Sequence, residues 1–322
     1  VEGLLAASVA AGALPVEDGQ RDQVRGAARG RARVDLCLER ELLGTAAILD
    51  GAGVAYRTLK GPAWAHTVYP DPSWRGFGDV DLLLDGRDWY RAVEALEASG
   101  VRRLLPEVRP GFDRRFGKDA TLLSGSGWEL DLHRTLVAGP YGLWRDPAEL
   151  FDAPSTARIG GVDVPVLGPE VSFLHACYNA ALADDPPRLI ALRDVCQMAL
   201  AGSADPAGVG DLARRWRAGA VVARAIDLAA GVLGPAVLES DVAAAFLDTP
   251  VAPWDRVLMA SYRGPGRGYT SQAAAVVAMR GLGERAAYLW ALTRPQGSYL
   301  SARGLSPMAH VGRGARRVWG GR

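Results

Sequence analysis

Cysteine is scarce. Cys37, Cys177 and Cys196 are the three in 322 residues, an odd number with no CxxC or comparable spacing. That argues against a disulfide framework or a zinc site and fits a reducing compartment, the cytoplasm. Charge of one sign is missing as well. Lysine and arginine number 37 and aspartate and glutamate 36, so a net charge of +1 supplies no global field for nucleic acid or a membrane surface. No uncharged apolar run reaches the roughly eighteen residues of a membrane span. The apolar stretch Leu4 to Leu14 follows Glu2 with no basic segment before it, so it reads as a first helix and not as a signal peptide. What is present is ordinary for a folded protein: 49% hydrophobic and 23% charged residues, enough for a well-filled core. The length favours two domains.

Against that background one stretch stands out, Gly76-Phe77-Gly78-Asp79-Val80-Asp81-Leu82-Leu83-Leu84. If the apolar run is a strand, its period of two points Asp79 and Asp81 to one face. Like charges this close raise each other's pKa unless a cation neutralises them, which points to Mg²⁺ or Mn²⁺, the hard cations that prefer oxygen ligands. Such a pair suggests phosphate chemistry.

The surrounding pattern supports strands and helices in alternation. Residues 31–50, with Leu38, Leu42, Leu43 and Leu49 among Arg and Glu, have helical spacing and end near Gly51. Val54 to Leu59 reads as a short strand closed by Gly61-Pro62, and Pro62 suits the first turn of a helix over Ala63 to Tyr69, where no N–H donor is needed. Pro70-Asp71-Pro72-Ser73 is a turn, Asp85-Gly86 ends the Asp79/Asp81 strand, and a helix covers Asp88 to Ser99. Ala120 to Leu123 and Trp128 to Leu136 predict a hairpin across Ser124-Gly125-Ser126-Gly127. In its second strand Glu129, Asp131 and His133 alternate with Leu130 and Leu132, which makes Asp131 the candidate third carboxylate. A further hairpin is expected over Ala157 to Leu167, with Pro165 marking an edge. From Glu170 the pattern is helical, near 170–183, 188–201, 208–218, 220–233, 240–248, 253–262 and 283–293. This gives an N-terminal helical segment at 1–50, a catalytic domain at 51–168, and a helical domain with a basic tail at 169–322.

Thr58-Leu59-Lys60-Gly61, Val68-Tyr69-Pro70-Asp71-Pro72, Arg75, Gly78-Asp79-Val80-Asp81-Leu82-Leu83-Leu84 and Glu129-Leu130-Asp131-Leu132-His133 occur in an order and spacing that resembles an uncharacterised bacterial family of nucleotidyltransferases within the DNA polymerase beta-like superfamily. The likeness extends more weakly through Leu174-His175-Ala176 and Arg188 to Leu200, about residues 50–200 in all. The resemblance implies an α+β fold: a small mixed β-sheet with helices on one side, followed here by the mainly helical C-terminal domain. It implies transfer of a nucleoside monophosphate from an NTP, ATP among them, to an acceptor hydroxyl, phosphate or amine, with release of pyrophosphate. Carried over residue by residue, Asp79 and Asp81 look like metal ligands, Asp131 like the third carboxylate, and Gly61 like the glycine facing the triphosphate. The chain departs from the commonest superfamily pattern in two places. Lys60-Gly61-Pro62 stands where a Gly-Ser pair usually follows the first strand, and Gly78 replaces the serine that often precedes the first carboxylate. Lys60 or Arg75 would then take the place of a serine contact to phosphate.

Each candidate has a plainer reading. Asp79 could be a turn residue and Asp81 an exposed strand residue, while Asp131 alternates with apolar neighbours as on any half-exposed strand. Lys60 could pair with phosphate beside a helix N-terminus or be a surface lysine. Arg75 could reach the triphosphate or anchor the turn. His133 could move a proton or only hydrogen-bond within the sheet. His175 and Asp194 lie among apolar helical neighbours and read as structural. Trp64, Tyr69, Trp74 and Phe77 could stack on a base or simply pack. Arg303, Arg313, Arg316, Arg317 and Arg322, with Trp319 and no acidic residue after Glu284, form a basic stretch that could track a phosphate backbone or be a solvated tail. The expected acceptor is a small molecule or peptide, with a tRNA end or protein side chain as alternatives, and a non-catalytic nucleotide-binding or interaction module is the competing class.

Overall fold

A computed structural model describes residues 2–144, 147–152, 155–247, 249–264 and 266–306. The arginines at 313, 316, 317 and 322 and Trp319 lie outside the described residues. The chain divides into two units. Unit 1 comprises Val1–Arg103, Thr121–Leu132 and Ala153–Leu167; unit 2 comprises Leu104–Ala120, His133–Asp152 and Gly168–Arg322.

The sheet has seven strands: β1 (Tyr56–Leu59), β2 (Val80–Leu84), β3 (Arg102–Arg103), β4 (Asp119–Leu123), β5 (Glu129–His133), β6 (Ser155–Ile159) and β7 (Val162–Val166). Their order is β3-β4-β5-β2-β1-β7-β6. β1 runs antiparallel to β2 and parallel to β7, so the sheet is mixed. The expected α+β architecture with a mixed sheet and many helices is what the structure has. β2 is buried at all five positions, which is why Val80-Asp81-Leu82-Leu83-Leu84 reads as an unbroken apolar run interrupted by a single charge.

Unit 1 also holds α1 (Glu2–Ala10), α2 (Asp18–Gly51), α3 (Lys60–Thr67) and α4 (Trp89–Ala98). α2 begins earlier than its periodicity suggests, because Glu17 and Gln20 form a capping box that starts the helix before its apolar face does. Its buried face is Asp35, Leu38, Leu42, Thr45, Ala46 and Leu49, spaced three and four residues apart. The strand predicted to run to Leu136 stops at His133. Beyond it Thr135 Oγ1 donates to the Gly142 carbonyl, so the chain turns into a short helix instead of extending the ladder. Pro165 does not mark the edge: β7 lies between β1 and β6, and the register with β1 falls on Val166, one residue past the proline.

Unit 2 carries α5 (Phe112–Arg115), α6 (Pro140–Leu143), α7 (Pro169–Tyr178), α8 (Leu189–Ala201), α9 (Pro206–Arg215), α10 (Gly219–Leu233), α11 (Asp241–Ala244), α12 (Pro253–Ala260), α13 (Arg267–Ala274), α14 (Leu282–Thr293) and α15 (Gly297–Ala302). α7 continues into a π-helical turn, Asn179–Ala183. α13 and α15 have no counterpart in the sequence reading, because Arg267-Gly268-Tyr269-Thr270-Ser271 lacks an apolar period and is held by hydroxyls: Ser271 Oγ donates to the Arg267 carbonyl at 2.6 Å. Among the described residues no helix is long and apolar enough to cross a membrane.

Candidate nucleotide-transfer site

Asp81 sits on β2 opposite Leu59 of β1 and is 3% exposed. A carboxylate buried in a central strand is expensive unless a cation faces it. The first such cation is Lys60, whose Nζ lies 3.1 Å from Asp81 Oδ1. Lys60 reaches it from the first position of α3, directly after β1, where its φ of 40° is left-handed, a conformation that residues other than glycine adopt at a cost of order 1 kcal/mol. Gly61 follows with a backbone that departs from the helix (φ 9°, ψ −112°), and a Cβ there would stand 3.3 Å from the Phe77 ring. A side chain there would have to push the Phe77 ring aside by a few tenths of an ångström.

Asp131 lies on β5, with its Oδ1 accepting a 2.6 Å hydrogen bond from Thr121 Oγ1 on the neighbouring strand β4. His133, two residues on along the same strand, is fully buried. Asp81, Asp131 and His133 each offer a ligand atom within 4.8 Å of the others. Two carboxylate oxygens and an imidazole nitrogen this close form a donor set that fits a divalent cation; the oxygens suit Mg²⁺ and Mn²⁺, and the imidazole shifts the preference toward Mn²⁺ and later metals. Asp79 is outside this group, at the bend one residue before β2, half-buried.

The remaining sequence candidates build the turn that carries Asp79. Arg75 is buried, stacked over Trp64 with its guanidinium carbon 5.1 Å from the ring centroid, and its Nη1 is 3.4 Å from the Gly61 carbonyl. The guanidinium therefore ties the Gly61 turn to the Asp79 loop. Gly78 is exposed, with open space where a side chain would stand. His175 on α7 and Asp194 on α8 are both buried in unit 2.

Two residues of this region escaped the sequence reading. Asp35 of α2 accepts from Arg31 Nε at 2.9 Å and from the Phe77 backbone N–H at 3.3 Å, and Arg31 also donates to the Phe77 carbonyl. Together they clip the loop before Asp79 to the long helix. A Cβ on Gly76 would meet Arg31 Cδ at 2.9 Å, so the first glycine of the motif makes room for the clip. The available signal was Asp35 itself, an acidic residue at a core position of the 35, 38, 42, 45, 49 series. At the far end of β2, Asp85 is chelated by Arg87 (Nη2 to Oδ2 2.6 Å), and that guanidinium holds its carboxyl below the usual carboxylate range.

A family model described as uncharacterised nucleotidyltransferase matches residues 1–234, and the chain belongs to that family. It is a nucleotidyltransferase, an enzyme class whose donor substrate is an NTP. No curated protein matches it. Among solved structures it is similar to the antibiotic-resistance factor ANT(2'')-Ia, at 18% identity and a TM-score of 0.41, covering 57% of this chain and 93% of that one. It is also similar to an antigenic nucleotidyltransferase-like protein from Paracoccidioides brasiliensis, at 15% identity and a TM-score of 0.33, covering 59% and 91%. At this distance neither likeness transfers a residue role or an acceptor to this chain.

Proposed function

We propose that the chain transfers a nucleoside monophosphate from an NTP to a small-molecule or peptide acceptor in a reaction that depends on a divalent cation and releases pyrophosphate. The observation that carries this reading is the buried Asp81 within 4.8 Å of Asp131 and His133. Asp81, Asp131 and Asp79 would hold Mg²⁺ or Mn²⁺, with His133 as an additional ligand or orienting group. Such an ion would neutralise charge on the transferring phosphoryl group and its leaving oxygens. Lys60 and Gly61 form an anion-binding turn at the start of α3, and Arg75 fixes that turn against the Asp79 loop. Thr121 holds Asp131 Oδ1, which leaves Oδ2 to receive the proton of the acceptor nucleophile.

One observation favours a second reading. Lys60 already neutralises Asp81, so the pair could be a permanent ion pair in a non-catalytic nucleotide-binding module. Calorimetry with a non-hydrolysable NTP separates the two: the transferase reading expects tighter nucleotide binding with Mg²⁺ or Mn²⁺, the inert module expects the cation to make no difference. The activity test uses labelled NTPs, either cation and pooled acceptors. Label transfer is expected, and it should fail in Asp79→Asn and Asp81→Asn. Robust transfer by both variants would overturn the metal assignment. A tRNA or protein acceptor would be recognised by label moving into the macromolecular fraction, with a salt dependence in the RNA case.

A further inference from the structure

Unit 2 contains a cavity of about 180 Å³ that the transfer reading does not use. Its floor is buried and largely apolar, formed by Leu136, Leu182 and Tyr262; its rim carries the partly exposed Lys118, Asn179 and Arg267. Size restricts the occupant first. A cavity of roughly 150 Å³ accepts a benzene ring, whereas sites for drug-sized molecules begin near 300 Å³. The space therefore takes one substituted ring and is too small to enclose a whole nucleotide.

Charge restricts it next. The lining includes two cations, Lys118 paired with Asp119 and Arg267 paired with Asp184, and no carboxylate of its own. Arg267 spends Nε on the Ala183 carbonyl at 3.2 Å and Nη2 on Asp184 at 2.9 Å, which fixes the guanidinium plane and leaves Nη1 without a partner among the described residues. The Asn179 amide also has none there. It stands at the start of the π-helical turn Asn179–Ala183, whose wider backbone brings Asn179, Leu182 and Ala183 to the same cavity. Single π turns inside helices are uncommon and concentrate at functional sites.

The floor is rigidly built. Tyr262 donates to the Ala138 carbonyl at 2.6 Å and packs on Tyr141 with ring centroids 5.9 Å apart. That contact needs Gly139, which has a left-handed φ of 77° and whose Cβ would come within 2.5 Å of the tyrosine oxygen. A preformed apolar floor under a rim of fixed donors lowers the cost of ordering a ligand.

We propose that this cavity binds a single-ring small-molecule carboxylate, its ring on Leu136, Leu182 and Tyr262 and its anionic group on Arg267 Nη1 and the Asn179 amide. The proposal stands independently of nucleotide transfer. The test titrates the full chain with benzoate, benzamide and benzylamine, followed by ligand-observed NMR and by chemical shifts of the protein. Benzoate should bind at about millimolar affinity, as a ligand of so few atoms allows, benzamide at least several-fold more weakly, and benzylamine not measurably. Leu182→Trp, which fills the floor, should abolish benzoate binding, and Asn179→Leu should weaken it about tenfold. Absence of benzoate binding up to about 20 mM, equal binding of benzylamine, or benzoate binding unchanged in both variants would each overturn the proposal.

Discussion

Unit 1 and the cavity of unit 2 handle buried polarity differently. In unit 1 the charges near the motif face charges or carbonyls at short range: Lys60 on Asp81, Arg31 on Asp35, Arg75 on the Gly61 carbonyl. Around the cavity Arg267 Nη1 and the Asn179 amide keep donor capacity that no described residue takes up. Beyond the cavity lining, the buried Tyr141 hydroxyl and Arg134 Nη2 of unit 2 have no hydrogen-bond partner among the described residues, and burial pushes the Arg134 guanidinium down to about 10 although Asp113 and Glu284 pull it upward. Unit 1 holds the charge of its motif in fixed pairs, whereas the cavity of unit 2 is defined by shape, with its charge placed at the rim.

Breaking the charge arrangement should give the largest effect. Asp81→Asn is expected to lower transfer by at least about a hundredfold. It should also cost about 3 kcal/mol of stability, the low end of the range for removing one half of a buried pair, because Lys60 keeps 17% exposure. Combining Asp81→Leu with Lys60→Met should recover most of the stability, measured by denaturant unfolding, and none of the activity. The clip comes next. Asp35→Ala should cost about 2 kcal/mol and raise KM for the NTP more than it lowers kcat, since it frees the Phe77 loop without touching the carboxylates. In unit 2, Tyr262→Phe removes a neutral hydrogen bond and should cost only about 1 kcal/mol, which thermal unfolding can resolve.

The smallest effect is alkaline. Burial, reinforced by Asp50, pushes the Tyr56 hydroxyl up from 10.0 to about 12. The folded state therefore keeps its proton where the unfolded chain has lost it. The associated stability is fully present below pH 10 and disappears as the pH rises through 12. Tyr56→Phe should flatten the fall of stability across that window, and an unchanged slope would show that other groups set it.

The turn and the apolar run of the motif were readable because glycine, proline and a charged residue inside Leu-rich sequence leave local marks. Gly61-Pro62 marked the strand-to-helix turn, and Asp81 marked itself by interrupting Val80 and Leu82. Asp35 stood out as an acidic residue in a core series, but its clip with Arg31 on Phe77 was not readable, because Phe77 is more than forty residues away and the contact is made through its backbone. His133 was visible on the face of Asp131, yet nothing local said that β5 would carry it within ligand distance of Asp81; that depends on strand order. The cavity was less readable still. A π turn and a tyrosine meeting the backbone at Gly139 are tertiary facts with no period behind them.

The account rests on Asp81, Asp131 and His133 holding a divalent cation, and Mn²⁺ binding measured by electron paramagnetic resonance with a non-hydrolysable NTP tests it most directly. The prediction is one or two bound ions in the wild type and at least about tenfold weaker binding in both Asp81→Asn and Asp131→Asn. Mn²⁺ binding of wild-type strength in those two variants would contradict it.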